Sequence, residues 1–270
     1  MKLKKYKGLV TDYDFTLTDR NGVVNVKTSE AINNYIQNGG NFAVASGRMT
    51  CSIVAVLKRA GVKGLVASYN GAEIVDMLSG KVYFKQFIPN ALTVEALEFI
   101  EEAGLYVQAY SEKVIVSKAT DFTSKYAKES SAEFFETEKS INMFFKENGG
   151  ETGKLLINDK KEKIDSIYND LCLCFGKKLT IVRSSDVVVD INAKDVSKAS
   201  ACKVLCGIWG IKPKELIAVG DAGNDEPMIK FAGLGAAPSD AQDKIKQAAD
   251  IVVPDCGNMP VKFLIDNYLI

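Results

Sequence analysis

Short apolar runs alternate with amphipathic stretches over the first third of the chain. Gly8-Leu9-Val10-Thr11, Asn41-Phe42-Ala43-Val44-Ala45 and Leu65-Val66-Ala67-Ser68 read as strands. A helical pattern capped by Thr28 or Ser29 runs to Asn38 and stops at Gly39-Gly40; another runs from Thr50 to Ala60 and stops at Gly61. This alternation predicts a parallel sheet with helices on both faces. The last third has the same rhythm. A helix from Lys198 to Ile208 precedes a strand at Leu216-Ile217-Ala218-Val219. A short helix from Glu226 to Ala232 and a small strand near Gly233 to Ala236 follow. Then come a helix from Asp240 to Ala249, a strand at Ile251-Val252-Val253 and a terminal helix from Val261 to Tyr268.

The middle reads differently. Ile74-Val75-Asp76 and Val82-Tyr83-Phe84 flank Leu78-Ser79-Gly80, a hairpin signal. Beyond it lie helices at 93–103, near 120–129, at 137–147 and at 161–174. Strands at 106–110, 114–116, 155–157, 179–183 and 187–191 are interspersed. The expected architecture is an α/β core, a doubly wound parallel sheet built from 1–82 and 187–270. An α+β cap domain at 83–186 is inserted into it.

Composition narrows the chemistry. The 270 residues allow one large or two moderate domains. The 34 basic and 34 acidic residues balance, so no basic face for nucleic acid is expected. The chain has no His. That excludes Ser-His-Asp and Cys-His catalysis and every His-ligated metal. Acid/base work falls to carboxylates, Lys, Tyr or Cys. Of six Cys, Cys202 and Cys206 lie one helical turn apart, a spacing expected for buried helix residues rather than a thiolate pair. No stretch is long enough to span a membrane, and the apolar run before Asp12 is too short for a signal peptide. The expectation is a reduced, cytoplasmic protein, monomer or homodimer.

Four clusters carry chemistry. Asp12 and Asp14, spaced by two after the first strand, would share one side of an extended chain. Two anions so close need a compensating cation, and Mg²⁺ suits hard oxygen ligands. Ser46-Gly47-Arg48 follows the second strand and offers a hydroxyl, an open backbone and a charge before a helix N-terminus. Lys198 opens a helix, where its charge opposes the macrodipole. Gly220-Asp221-Ala222-Gly223-Asn224-Asp225 places two more carboxylates in a glycine-rich turn. Each cluster alone also reads as an ordinary turn, cap or solvated side chain. Together they follow strands or open helices, and strand ends of a parallel sheet converge on one crevice. The gathering suits a divalent cation plus a phosphate.

In order and spacing, Asp12-x-Asp14-x-Thr16, Ser46-Gly47-Arg48, Lys198 and Gly220-Asp221-x-x-Asn224-Asp225 resemble the haloacid dehalogenase superfamily of phosphatases. Asn70-Gly71-Ala72 and the insertion after it resemble the Cof-type branch. Three stretches depart from that pattern. Phe15 and Asp195 stand where Gly is usual, and Gly235-Ala236-Ala237-Pro238-Ser239 replaces a more common Gly-Val-Ala-Met-Gly-Asn.

The resemblance implies Mg²⁺-dependent hydrolysis of small phosphomonoesters, sugar phosphates or similar metabolites, with no nucleic acid or membrane partner. Asp12 would be the nucleophile that becomes an aspartyl-phosphate, and Asp14 the acid/base. The metal would take the Asp12 carboxylate, the Asp14 carbonyl and Asp221, with Asp225 in support. Ser46, Gly47, Lys198 and Asn224 would hold the phosphate, Asn70 would face the leaving group, and Arg48 would touch substrate or form an ion pair. Thr16 would steady the turn around Asp14. The cap would act as a lid, with Tyr106, Tyr110, Phe134 and Phe135 in its core or pocket. A phosphotransferase or phosphomutase would use the same intermediate. A phosphometabolite sensor would keep the site without turnover. A receiver domain is about half this length, and a P-loop is excluded because G-x-x-x-x-G-K-[ST] is absent.

Overall fold

The computed structural model describes residues 5–120, 123 and 133–269. The chain divides into two compact units, Met1–Phe84 with Ser197–Ile270 and Lys85–Val196.

The first unit is built on an eight-stranded sheet. Its strands are β1 (Gly8–Thr11), β2 (Asn41–Ala45), β3 (Leu65–Ser68), β4 (Glu73–Asp76) and β5 (Val82–Lys85), joined by three strands from the C-terminal part of the chain. With β6 (Val107–Tyr110), β7 (Val114–Val116), β8 (Phe134–Glu136), β9 (Lys154–Asn158), β10 (Leu179–Ser185) and β11 (Val188–Ala193) in the second unit, the C-terminal strands are β12 (Leu216–Val219), β13 (Leu234–Pro238) and β14 (Ile251–Val253). The order is β14-β13-β12-β1-β2-β3-β4-β5. β14 through β3 are parallel, and β4 turns back antiparallel on β3. The chain order reverses at β1, with β2 on one side and β12 on the other. At such a switch point the loops beyond the strand ends diverge and leave a crevice.

Alternation within the strands explains the two apolar layers. Leu9, Phe42, Val44 and Val66 face one way and pack with Ile32, Tyr35, Ile53 and Leu264. Val10, Ala43, Ala45 and Ala67 face the other way, toward Ala201, Cys202, Leu205 and Cys206. Both faces are covered, so the strands are apolar throughout. Cys202 and Cys206 are buried and free, as their spacing predicts. The first helix, Val26–Gln37, starts earlier than expected because Asn25 caps it, its side chain accepting from the Lys27 N–H. Thr28 and Ser29 are buried inside the helix instead.

The second unit carries a six-stranded sheet in the order β10-β11-β9-β6-β7-β8, with helices Asn90–Glu102, Ile141–Asn148 and Lys161–Phe175. β11 pairs antiparallel with both β9 and β10. The chain therefore returns to the first unit after Val196 rather than after residue 186. Local pattern identifies β10 and β11 as strands close in the chain but does not reveal the pairing of β11 with β9, which lies beyond an intervening helix. The helix expected near 120–129 lies largely outside the described residues. Lys154 and Asp190 form a buried ion pair at 2.8 Å in this unit. Tyr110 is buried beneath Lys154, its hydroxyl donating to Gln108 Oε1 at 2.9 Å. Phe135 is exposed. Among the described residues no helix is long and apolar enough to cross a membrane.

Candidate active site

The site grows from adjacent strand ends. Thr11 of β1 is in register with Val219 of β12 and Val44 of β2. The next residue, Asp12, donates its N–H to the Val219 carbonyl at 2.9 Å. Ser46 follows β2 and is tied to β3 by its N–H to Ala67 O at 2.8 Å. Gly220 follows β12. All the expected site residues lie in the first unit.

Lys198 is the hub. It is the first residue of the helix Lys198–Trp209, whose start is fixed by a reciprocal cap between Ser197 and Ser200. Its Nζ lies 2.5 Å from Asp12 Oδ1 and 2.5 Å from Asp225 Oδ1, and all three side chains are buried. The charge that opposes the helix dipole is thus held by two carboxylates. Asp225 Oδ2 accepts from the Asp221 and Ala222 N–H groups, each at 3.0 Å. Gly220 makes room for this: a Cβ there would stand 2.4 Å from the Asp225 carboxyl carbon.

Asp12 and Asp14 do not share one extended face. The Tyr13 carbonyl accepts from the Leu17 and Thr18 N–H groups, so the chain turns directly after Asp12. Asp12 goes to Lys198, while Asp14 is gripped by Arg48, Nε to Oδ2 at 3.0 Å and a terminal nitrogen to Oδ1 at 2.6 Å. Arg48 also lies over the Tyr13 ring, 5.0 Å from its centroid. Of the two readings left open for Arg48, the ion pair is the one formed here.

A second arm joins Ser46, Asn70 and Asn224. The Arg48 N–H donates to Ser46 Oγ at 3.2 Å, leaving the hydroxyl proton able to point elsewhere. The Asn70 N–H donates to Ser46 O at 2.9 Å. Asn224 Nδ2 donates to Asn70 Oδ1 at 3.3 Å. Asn70 has φ +61°, a left-handed conformation that Asn tolerates better than most residues. Gly71 beside it has φ +104°, and a Cβ there would lie 2.7 Å from Ser197 O. The turn after β3 thereby packs against the start of the Lys198 helix.

The electrostatics are those of an acidic cluster with too little positive charge. Asp12, Asp221 and Asp225 each bring a carboxylate oxygen within 4.8 Å of the others. Burial pushes Asp12 well above the usual carboxylate range, against the pull of Lys198. Burial, then Asp225, pushes Asp221 up to about 6. Burial alone would lower Lys198, but Asp12 and Asp225 outweigh it and raise the ammonium above its ordinary value. Lys198 is charged, because two carboxylates 2.5 Å away hold its proton. Three carboxylates against one ammonium leave an acidic excess, and hard oxygen donors so grouped fit a divalent cation. Asp14's carboxylate stands outside this group, paired to Arg48.

Thr16 has a contact that sequence reasoning placed elsewhere. Its hydroxyl donates to Asp221 Oδ1 at 3.1 Å, linking the first acidic loop to the last. A Thr two residues past the acidic pair is the only local signal of it. Two of the departures from the family pattern share a backbone cause. Phe15 has φ +57° and Asp195 φ +63°, the left-handed region where Gly is at ease. A non-glycine residue there costs about 1–2 kcal/mol.

The sequence model of the haloacid dehalogenase-like hydrolases matches residues 9–261. Phosphatase YwpJ of Bacillus subtilis is 25% identical, with 91% of this chain and 94% of that protein covered. A putative phosphatase of Haemophilus influenzae is 26% identical over 90% of this chain and 89% of its own. A haloacid dehalogenase-like hydrolase from Bacteroides thetaiotaomicron superposes with a TM-score of 0.84 at 27% identity, covering 97% of this chain and 99% of that one. With the acidic strand ends, the lysine hub and this match spanning both units, the chain belongs to the haloacid dehalogenase-like hydrolase family, in its Cof-type branch, and is a phosphatase enzyme.

Proposed function

We propose that the chain hydrolyses small-molecule phosphomonoesters in a Mg²⁺-dependent reaction through a phosphorylated Asp12. The observation that carries this reading is the position of Asp12: first residue beyond the central strand, buried, with Oδ1 held by Lys198. A carboxylate fixed in this way is an oriented nucleophile, and aspartyl-phosphate formation is an established covalent strategy.

In the first step an Asp12 oxygen forms a bond to phosphorus as the bond to the ester oxygen breaks. Asp14 donates a proton to that departing oxygen. In the second step Asp14 takes a proton from water, the water oxygen bonds to phosphorus, and the Asp12–phosphorus bond breaks to release inorganic phosphate. The two Arg48 nitrogens orient the partly exposed Asp14 carboxylate for the water step; for the first step one of these contacts opens, and the freed oxygen carries the proton. Ser46, the Gly47 backbone, Lys198 and Asn224 donate to phosphate oxygens as charge spreads over them. Asn70 orients Asn224 and would stand on the leaving-group side.

Asp12, Asp221 and the Asp14 carbonyl would hold Mg²⁺, with Asp225 fixing the loop behind them. When bound, the ion neutralises the acidic excess and polarises the phosphoryl oxygens. The inserted unit is read as the part that selects among alcohols. The test is turnover of p-nitrophenyl phosphate with Mg²⁺, by wild type and by Asp12→Asn. Wild type should release phosphate and lose activity with EDTA. The variant should fold and be inert. Wild-type rates in Asp12→Asn contradict the nucleophile assignment.

A further inference from the structure

Phe15 follows Asp14 directly and combines two unfavourable features. Its backbone is left-handed, with φ +57°, and the side chain keeps 42% of its surface exposed. It belongs to neither apolar layer of the first unit. Burial therefore does not explain why a bulky ring occupies a position whose backbone suits Gly.

The ring is nonetheless held in place. The Arg20 guanidinium lies over it, 5.6 Å from the centroid. Arg20 is anchored in turn by a hydrogen bond to Asp240 Oδ2 at 2.8 Å. Asp240 is fixed through its other oxygen, which accepts from the Cys256 N–H at 3.1 Å. Asp240 stands two residues beyond the end of β13, so the brace starts at the same sheet edge as the acidic cluster. The Phe15 N–H donates to Thr18 Oγ1 at 3.1 Å, which pins the backbone as well. Backbone strain that the surroundings hold in place gathers at functional positions.

We propose that Phe15 is a specificity-determining residue, a stacking platform for phosphomonoesters whose leaving group carries a planar aromatic or heteroaromatic ring. The inference rests on the phosphatase reading above. If Asp14 protonates the departing oxygen, the carbon skeleton on that oxygen lies just outside the Asp14 carboxylate. Phe15 is the next residue and its ring is exposed, so the proposal places that ring beside this space. A phenyl face offers no hydrogen bond to a hydroxyl-rich group, whereas a flat ring stacks on it. Arg20 on the ring and Thr18 on the backbone keep the platform in one orientation, so little freedom is lost when a ligand docks.

Benzyl phosphate and cyclohexylmethyl phosphate test this, since both release primary alcohols and differ in ring planarity. Wild type should favour the benzyl ester by at least fivefold in kcat/KM. Phe15→Gly should melt at a higher temperature, because strain is relieved, yet its preference should fall below twofold. Phe15→Tyr should keep the preference. Equal handling of the two esters by wild type, or an undiminished preference in Phe15→Gly, overturns the proposal. Benzylphosphonate and cyclohexylmethylphosphonate, which cannot be hydrolysed, read the same preference by calorimetric binding. If neither ester turns over, the phosphatase reading fails, and the phosphonate Kd ratio still decides the platform. A ratio below twofold in wild type rejects it.

Discussion

Arg48 grips Asp14 with two nitrogens, at 3.0 and 2.6 Å, while resting on the Tyr13 ring. The Asp14 side chain is 42% exposed, so the pair adds little to stability. Its proposed role is to aim the carboxylate. Arg48→Ala should lower kcat/KM by about 10- to 100-fold, roughly 1.4–2.7 kcal/mol of barrier, with a melting shift of only a few degrees. Arg48→Lys should recover little, because one ammonium cannot reproduce the planar fork. Steady-state kinetics on the three proteins check this. Full activity in Arg48→Ala would mean that Asp14 needs no such aiming.

The three-carboxylate group should respond to metal in the absence of any substrate. Saturation at about 100 times Kd adds roughly 2.7 kcal/mol to the folded state. Calorimetric melting should therefore rise with Mg²⁺ and fall back with EDTA. Asp221→Asn should abolish most of the rise, since Asp221 is the least neutralised member of the group. A wild-type melting point indifferent to Mg²⁺ contradicts the metal assignment.

Tyr35 gives a pH signature that is independent of the site. Burial pushes its phenol up to about 12. An unfolded chain ionises it near 10, so folding favours the protonated ring. The associated stability is present in full below about pH 10 and is lost as pH rises toward 12, at roughly 1.4 kcal/mol per pH unit. The urea midpoint of wild type should fall relative to that of Tyr35→Phe as pH rises from about 10 toward 12. Parallel midpoints would remove Tyr35 as the cause.

In the second unit, Lys154 and Asp190 are each about 6% exposed in their side chains. Lys154→Met leaves a carboxylate buried without its partner and should cost about 3–5 kcal/mol. The double change Lys154→Met with Asp190→Leu should recover most of that loss. Denaturant midpoints of the two variants separate a buried charge from mere loss of packing.

Much of this molecule could be read from the chain because its chemistry sits where periodicity changes. Asp12, Ser46 and Gly220 each follow an apolar run, and a parallel sheet has to bring such ends together. Lys198 stood out because its charge opposes the helix dipole, and Asp12 and Asp225 supply the missing anions. What could not be read depends on distant partners or on backbone angles. β11 was recognisable as a strand, yet its pairing with β9, beyond an intervening helix, keeps it in the second unit, which runs to Val196. The division of the acidic pair between Lys198 and Arg48 depends on a turn at Tyr13 that spacing alone does not encode. The Lys154–Asp190 pair lies in strands whose alternation looked ordinary. The left-handed backbone at Phe15 was hinted at only by a missing Gly.

The most direct measurement is on Asp12 itself. Active protein mixed with a rapidly hydrolysed phosphomonoester and Mg²⁺, quenched in acid within milliseconds, should yield one peptide heavier by a phosphoryl group. Fragmentation should place that group on Asp12, and Asp12→Asn should carry none. An actively hydrolysing enzyme whose quenched peptides are never phosphorylated, or are phosphorylated at another side chain, would contradict the account.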